Sequence, residues 1–425
     1  MKLQPGVTRT SAEDSWREFV EWIGFSTLLD ALTRKQRSLE DWSAFTEIAP
    51  RLFSIEHGLN TALRKWRATR KLWYPKEKPI YDAYAFVGAC TQIKSQLSSD
   101  QARVFRRRVI SEILPNGRLC HLDHEFRTAH QLLEFGWNIQ RFGLCGDPGA
   151  DFVAERGGIE VEVESKCLSP EIGLGVSYEF AARLMSRLSR ELRECHPLSL
   201  TTIRIEILGQ ENDTGGVDGV KRHVLSSYVR NENFQSSALR VQIETSSLNE
   251  FFVKYPDVRN DQWLHKTFAE LRTREGDYGY FIRRNEELIF CNLIPMRPNQ
   301  QARKIMKLVS TTCDRQFSKQ RPALLWLHLQ GLDPGQIDRD SNGADHYFQT
   351  IARHAFTSER RTHVSSLVFT SDSDLEHDHT PVLGKDRRKV NAAGRAKGYD
   401  NLRCRFGIIH ILAPQFSADH KLPFA

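Results

Sequence analysis

Residues 149–170 read GADFVAERGGIEVEVESKCLSP, two short β-prone runs joined by Arg156-Gly157-Gly158. The paired glycines predict a tight hairpin between strands at Asp151–Glu155 and Ile159–Cys167. Strand side chains alternate with period two, so Glu160, Glu162, Glu164 and Lys166 fall on one face of the second strand and Ile159, Val161 and Val163 on the other. An aspartate and a glutamate on adjacent strands can hold a divalent cation between them. Lys166, two residues past Glu164, points to the same face. The same letters also suit an exposed strand with a polar outer face, and a bulge in that strand would bring Glu162 into the place of Glu164.

Outward from the hairpin, DHEFRTAHQLLEF predicts a helix over 122–135 that stops at Gly136, followed by a strand at Trp137–Phe142. A helix near 175–194 and a strand at Thr201–Leu208 follow, giving the order α-β-β-β-α-β. From Ser15 to Leu114 apolar residues recur at helical spacing, which predicts an all-α segment. Within it Trp66 and Trp73, seven apart, are placed on one helix face as core, among the basic residues Arg64, Lys65, Arg67, Arg70 and Lys71. Arg106-Arg107-Arg108 forms a second basic cluster, and both clusters read either as solvated faces or as nucleic-acid contacts. Strand-like runs recur at 238–245, 278–295, 322–330, 363–370 and 405–414, with helices at 299–318 and 345–356. Unalternating apolar runs such as PALLWLHL predict a buried, partly parallel sheet. Ser371–Asp400 is polar and reads as a long mobile loop.

This order, with Asp151 in GADF and Glu164 and Lys166 in ESK, resembles the PD-(D/E)xK nuclease superfamily over Glu125–Leu208. The literal proline before the aspartate is absent, Pro148 lying three residues upstream. The resemblance implies an α/β fold with a restriction-endonuclease-like αβββαβ core. Taken with the helical periodicity before it and the strand-like runs after it, the motif divides the chain into a helical region, 1–115, and a nuclease-like α/β domain, 116–425, with the core motif at 120–210 and a C-terminal α/β extension at 275–415. The resemblance implies catalytic roles for Asp151, Glu164, Lys166 and Glu125, the last a supporting or second-metal carboxylate, with Asp151 and Glu164 as metal ligands. It also implies a nuclease leaving a 5′-phosphate, acting on DNA rather than RNA, in restriction, phage defence or repair.

The residue types suit that chemistry on their own terms. Hydrolysis of a phosphodiester needs a nucleophile made from water and neutralisation of the phosphoryl charge, which Mg²⁺, or Mn²⁺ in its place, supplies through oxygen ligands. A lysine beside the ion orients the water or stabilises developing charge. The rival expectations are a catalytically inactive nucleic-acid-binding or scaffold protein that keeps the fold, and a hydrolase of small sugar phosphates or nucleotides.

Composition narrows the classes further. The net charge of +7 resides in residues 1–120, where 20 Lys and Arg face 13 Asp and Glu, so any electrostatic attraction to phosphates belongs to the N-terminal part. No run of eighteen apolar residues or secretory h-region occurs, so no membrane association is expected and the expected location is the cytoplasm. The eight cysteines form no C-x-x-C, as thiols of a reducing compartment do. Cys120, Cys145 and Cys167 surround the motif with His121, His124 and His130, in spacings that match no zinc pattern. Nucleotide-binding glycine motifs, G-x-S-x-G and H-E-x-x-H are absent. With no helix-turn-helix or zinc finger to read bases, a protein partner for target recognition is expected.

Overall fold

A computed structural model describes residues 9–39, 53–73, 77–95, 97–134, 136–142, 149–169, 172–173, 175–192, 196, 198–254, 278–284, 287–297, 300–330, 347–370, 374–377, 390–393 and 396–406. Helices α1 (Arg9–Ile23), α2 (Phe25–Leu39), α3 (Ser54–Thr69), α4 (Lys78–Lys94), α5 (Ser99–Ile113) and α6 (Leu119–Glu134) precede strands β1 (Asn138–Phe142), β2 (Phe152–Arg156) and β3 (Ile159–Leu168). Next come α7 (Tyr178–Glu191), β4 (Ser199–Ile207), α8 (Gly216–Arg230), β5 (Phe234–Gln235), β6 (Leu239–Ser247), α9 (Leu248–Lys254), β7 (Tyr278–Arg284) and β8 (Glu287–Pro295). The last stretch holds α10 (Gln301–Arg315), β9 (Ala323–Leu329), α11 (Tyr347–Phe356), β10 (Val364–Thr370), β11 (Asp374–His377), β12 (Val390–Ala393) and β13 (Ala396–Asp400). The class is α/β.

The chain forms two compact units: Met1–Ser38, Glu47–Pro170 and Ala302–Ala425 make one, Leu39–Thr46 and Glu171–Gln301 the other. In the first, the six-stranded sheet runs β1-β2-β3-β9-β10-β13. Strand β2 pairs antiparallel with both β1 and β3, β9 lies parallel to β3 and to β10, and β13 closes antiparallel on β10. Gly157 and Gly158, at φ +61 and +80, make the β2–β3 turn, and both positions need the left-handed backbone that glycine adopts without strain.

Helix α6 joins the helical part of this unit to its sheet. Leu119, Leu122 and Phe126 pack in the helical core with Phe86 and Phe105, whereas Ala129 and Leu132, farther along, pack on Phe152, Val161, Val163 and Leu324. It ends as the sequence predicts: Gly136 turns left-handed, and the amides of Gly136 and Trp137 donate back to the carbonyls of Leu133 and Leu132.

The second unit holds a five-stranded sheet in the order β5-β6-β4-β8-β7. Here the αβββαβ expectation is corrected. The strand expected at Thr201–Leu208 is real as β4, but it sits between β6 and β8 in this other sheet. The strand parallel to β3 is instead β9, whose run ALLWLHL is buried at all but one position, as a central strand covered on both faces requires. Alternation in β4, with Ile203, Ile205 and Ile207 buried, reveals a strand but not the sheet it joins.

Three further expectations change. Helix α3 stops at Thr69, with Arg70 left-handed behind it, so Trp73 does not share its face; Trp66 is core, but Trp73 is 50% exposed with the Lys65 ammonium 3.9 Å over its ring. The polar stretch 371–400 contains β11, β12 and β13, and β13 pairs along the whole of its length with β10, for which backbone groups suffice. The run 278–295 folds as a hairpin of two strands. The strand expected at 405–414 falls, beyond Phe406, outside the described residues.

Candidate active site

The hairpin register pairs Phe152 with Val163 and Arg156 with Ile159 without a break, which sets Asp151 across from Glu164. Strand β2 begins at Phe152, and Asp151 continues the pairing just before it: the Ser165 amide donates to Asp151 Oδ2 at 2.7 Å, and the Asp151 amide donates to Glu164 Oε2 at 3.1 Å. The polar face of β3 is solvated at Glu160 but not farther along the strand. Glu164 is 1% exposed and Glu162 5%, because β3 lies between β2 and β9 in the middle of the sheet. The Lys166 ammonium makes a short ion pair with Glu164 Oε1.

Register also disposes of Glu162 as a substitute ligand. Strand β3 carries no bulge against β2 or β9, and Glu162 turns to the segment before β9, accepting from the Ser318 amide at 2.8 Å with Arg321 at 3.8 Å. Glu125 reaches the site from α6. Its Oε1 lies 2.5 Å from Arg108 Nη2 of α5, and its buried Oε2 has no hydrogen-bond partner among the described residues.

Asp151, Glu164, Lys166 and Glu125 interact as one electrostatic group, drawn from β3, α6 and the residue before β2. Burial, then the Asp151 charge, pushes Glu125 up to about 8 against the pull of Arg108. Burial and Asp151 likewise push Glu164 up to about 7 against Lys166. Burial raises Asp151 too, opposed by the Ser165 hydrogen bond and by Lys166. For Lys166, burial alone would lower the amine; Glu164, then Asp151 and Glu125, outweigh it and hold the ammonium. With all three carboxyls ionised, three negative charges would face two cations, which is why Glu125 and Glu164 keep protons to higher pH, and Glu125 Oε2 adds a buried oxygen without a donor among the described residues. Both features suit a bound hard cation.

Two residues here were not legible as site residues. Arg108 belongs to the basic triplet read as surface or nucleic-acid contact, yet it pairs with Glu125, and its neighbour Arg106 binds the carbonyls of Trp22 and Ile23 at the end of α1. Ser165, the middle letter of ESK, fixes Asp151 through its backbone, which no sequence pattern marks. Among the described residues, the set of three metal-ligating types whose ligand atoms all lie within 4.8 Å of one another is Cys120, His121 and Cys167, not the carboxylates. His124 stands apart from that set, buried and stacked on His328 with ring centroids 5.1 Å apart. Cys145 lies outside the described residues. Among the described residues no helix is long and apolar enough to cross a membrane.

Compared with known proteins, the chain matches no family model, no curated protein and no solved structure.

Proposed function

We propose that this chain is a metal-dependent nuclease that hydrolyses phosphodiester bonds, in DNA rather than RNA. The observation that carries the reading is the grouping of buried Glu164 and Glu125 with half-buried Asp151 and Lys166, drawn from β3, α6 and the residue before β2, into one mutually perturbed cluster. The sheet order supports it as well. Helix α6, the β1-β2-β3 meander and the parallel β9 are compatible with the resemblance if the residues of the second unit between β3 and α10 are taken as an insertion.

Asp151 and Glu164 are the residues that would hold Mg²⁺, or Mn²⁺, with Glu125 as an additional carboxylate. Such an ion, when bound, supplies charge neutralisation for the phosphoryl oxygens and lowers the pKa of a water. The Ser165 amide keeps Asp151 oriented across the hairpin. Lys166, held as an ammonium, is a donor and countercharge for the phosphoryl group rather than a base. Arg108 holds Glu125 in place through one oxygen and leaves the other available. Exposed Arg64, Arg67, Arg70 and Lys71, next to the exposed Trp73, offer a surface for a phosphate backbone. Restriction, phage defence or repair is the setting that fits, with a partner protein choosing the target.

A second reading, an inactive nucleic-acid-binding or scaffold protein, draws on one observation: Glu125 and Glu164 already carry protein cations, Arg108 and Lys166. Cleavage of circular single-stranded and supercoiled double-stranded DNA, with Mg²⁺, Mn²⁺ or EDTA, separates the two. The nuclease reading expects metal-dependent nicking that Asp151→Ala and Lys166→Ala both abolish while binding is kept. DNA binding without cleavage in any metal favours the scaffold, and cleavage persisting in both variants rejects the site.

A further inference from the structure

We propose that Cys120, His121 and Cys167 form a second metal site, selective for a thiophilic divalent cation such as Zn²⁺ and separate from the carboxylate cluster. Cys120 and His121 lie in the first turn of α6, and Cys167 lies near the C-terminal end of β3, one residue past Lys166. Their three ligand atoms lie within 4.8 Å of one another. A tetrahedral zinc with bonds of about 2.0–2.3 Å sets its ligand atoms roughly 3.6–3.8 Å apart, so closure asks for movements of about 1 Å, within reach of side-chain rotation. Neither cysteine is in a disulfide, and both are half-buried while the imidazole is exposed, which leaves an ion an approach from solvent.

The donor set decides the ion. Two thiolates and an imidazole are soft and borderline ligands that favour Zn²⁺ or Co²⁺ over Mg²⁺, whereas the all-oxygen cluster of Asp151, Glu164 and Glu125 has the opposite preference. Alternation along β3 puts Cys167 and Lys166 on opposite faces, so the two sites do not share a ligand. Two protein thiolates neutralise the ion, and three protein ligands leave a fourth position for water. Such an ion would tie the start of α6, one turn before Glu125, to the end of the strand that carries Glu164 and Lys166. The inference does not depend on the nuclease reading, since binding is read without substrate.

The test is a Co²⁺ titration of the full chain, reduced and stripped with chelator, followed by Zn²⁺ competition. The expected result is one equivalent of Co²⁺ with thiolate-to-metal charge-transfer absorption, displaced by Zn²⁺. Cys120→Ser and Cys167→Ser should each weaken the band and lower Zn²⁺ affinity by about 100-fold. Glu164→Gln should leave the band intact. If a serine variant fails to fold, His121→Ala, which alters an exposed side chain, carries the test through a shifted spectrum and weakened affinity. No charge-transfer band in the reduced chain, or a band indifferent to Cys120 and Cys167, overturns the proposal.

Discussion

Replacing Glu125 with glutamine keeps the shape of the side chain and removes its charge, and the consequence follows from the site's electrostatics. In the folded chain burial and Asp151 push this carboxyl up to about 8, against an ordinary 4.5. A group whose folded pKa is raised binds more protons in the native state, so its stabilising contribution is complete below pH 4.5 and is lost as pH rises through 8. At about 1.4 kcal/mol per pH unit the whole shift amounts to about 5 kcal/mol, an upper bound because Glu125 interacts with Asp151 and Glu164, whose own titrations change its surroundings. Between pH 6 and 8 about 2–3 kcal/mol of that is in play. Urea unfolding in EDTA should therefore show the wild type losing stability over this interval and Glu125→Gln losing less by that amount. Millimolar Mg²⁺ should restore the wild type at pH 8, because a ligand that binds only the folded state stabilises it by mass action, and should do less for the variant. Parallel pH profiles for the two proteins would show that Glu125 is not part of a charged cluster.

Two other buried groups give separable expectations. Lys35 and Glu56, 2% and 3% exposed, form a pair at 3.9 Å, and the ammonium also donates to the carbonyl of Gly117 at 2.6 Å. Lys35→Met should cost about 3–5 kcal/mol in urea unfolding, more at pH 8 than at pH 5, because Glu56, raised by burial, escapes its unpaired charge by protonation at lower pH. His124 is held well below its ordinary 6.5 by burial and then by His328, so it contributes stability above pH 6.5 that is lost as the unfolded chain gains the proton below it. His124→Phe, which keeps a ring against His328, should flatten that acid limb by about 1.4 kcal/mol per pH unit at most in chemical denaturation at pH 5–7.

Local chemistry was legible in the sequence to the extent that one residue's neighbours along the chain decided it. Two glycines fix a two-residue turn, the turn fixes the β2–β3 register, and the register alone sets Asp151 across from Glu164. Gly136 likewise ends α6 where expected. What the letters did not show depends on contacts distant in sequence. Glu164 is buried on a strand whose neighbour β9 lies more than 150 residues away in sequence, so its alternating charges read equally as a wet surface. Arg108 reads as one more basic residue until α5 and α6 are packed together. Cys120, His121 and Cys167 match no local zinc spacing because the third ligand comes from another element. The second sheet is hidden for the same reason: α7 and β4 carry the periodicities expected of the first, and only hydrogen bonding assigns β4 to the other sheet.

Cleavage assays depend on offering the right substrate or partner, whereas ion binding at the carboxylates does not. The decisive quantity is therefore Mn²⁺ bound by the purified chain, counted by electron spin resonance with the thiol site blocked by Zn²⁺. A bound ion that is lost in Asp151→Asn and Glu164→Gln and kept in Lys166→Ala is the predicted result. No bound ion, or binding that survives both carboxylate substitutions, would contradict a hydrolytic metal site at Asp151 and Glu164.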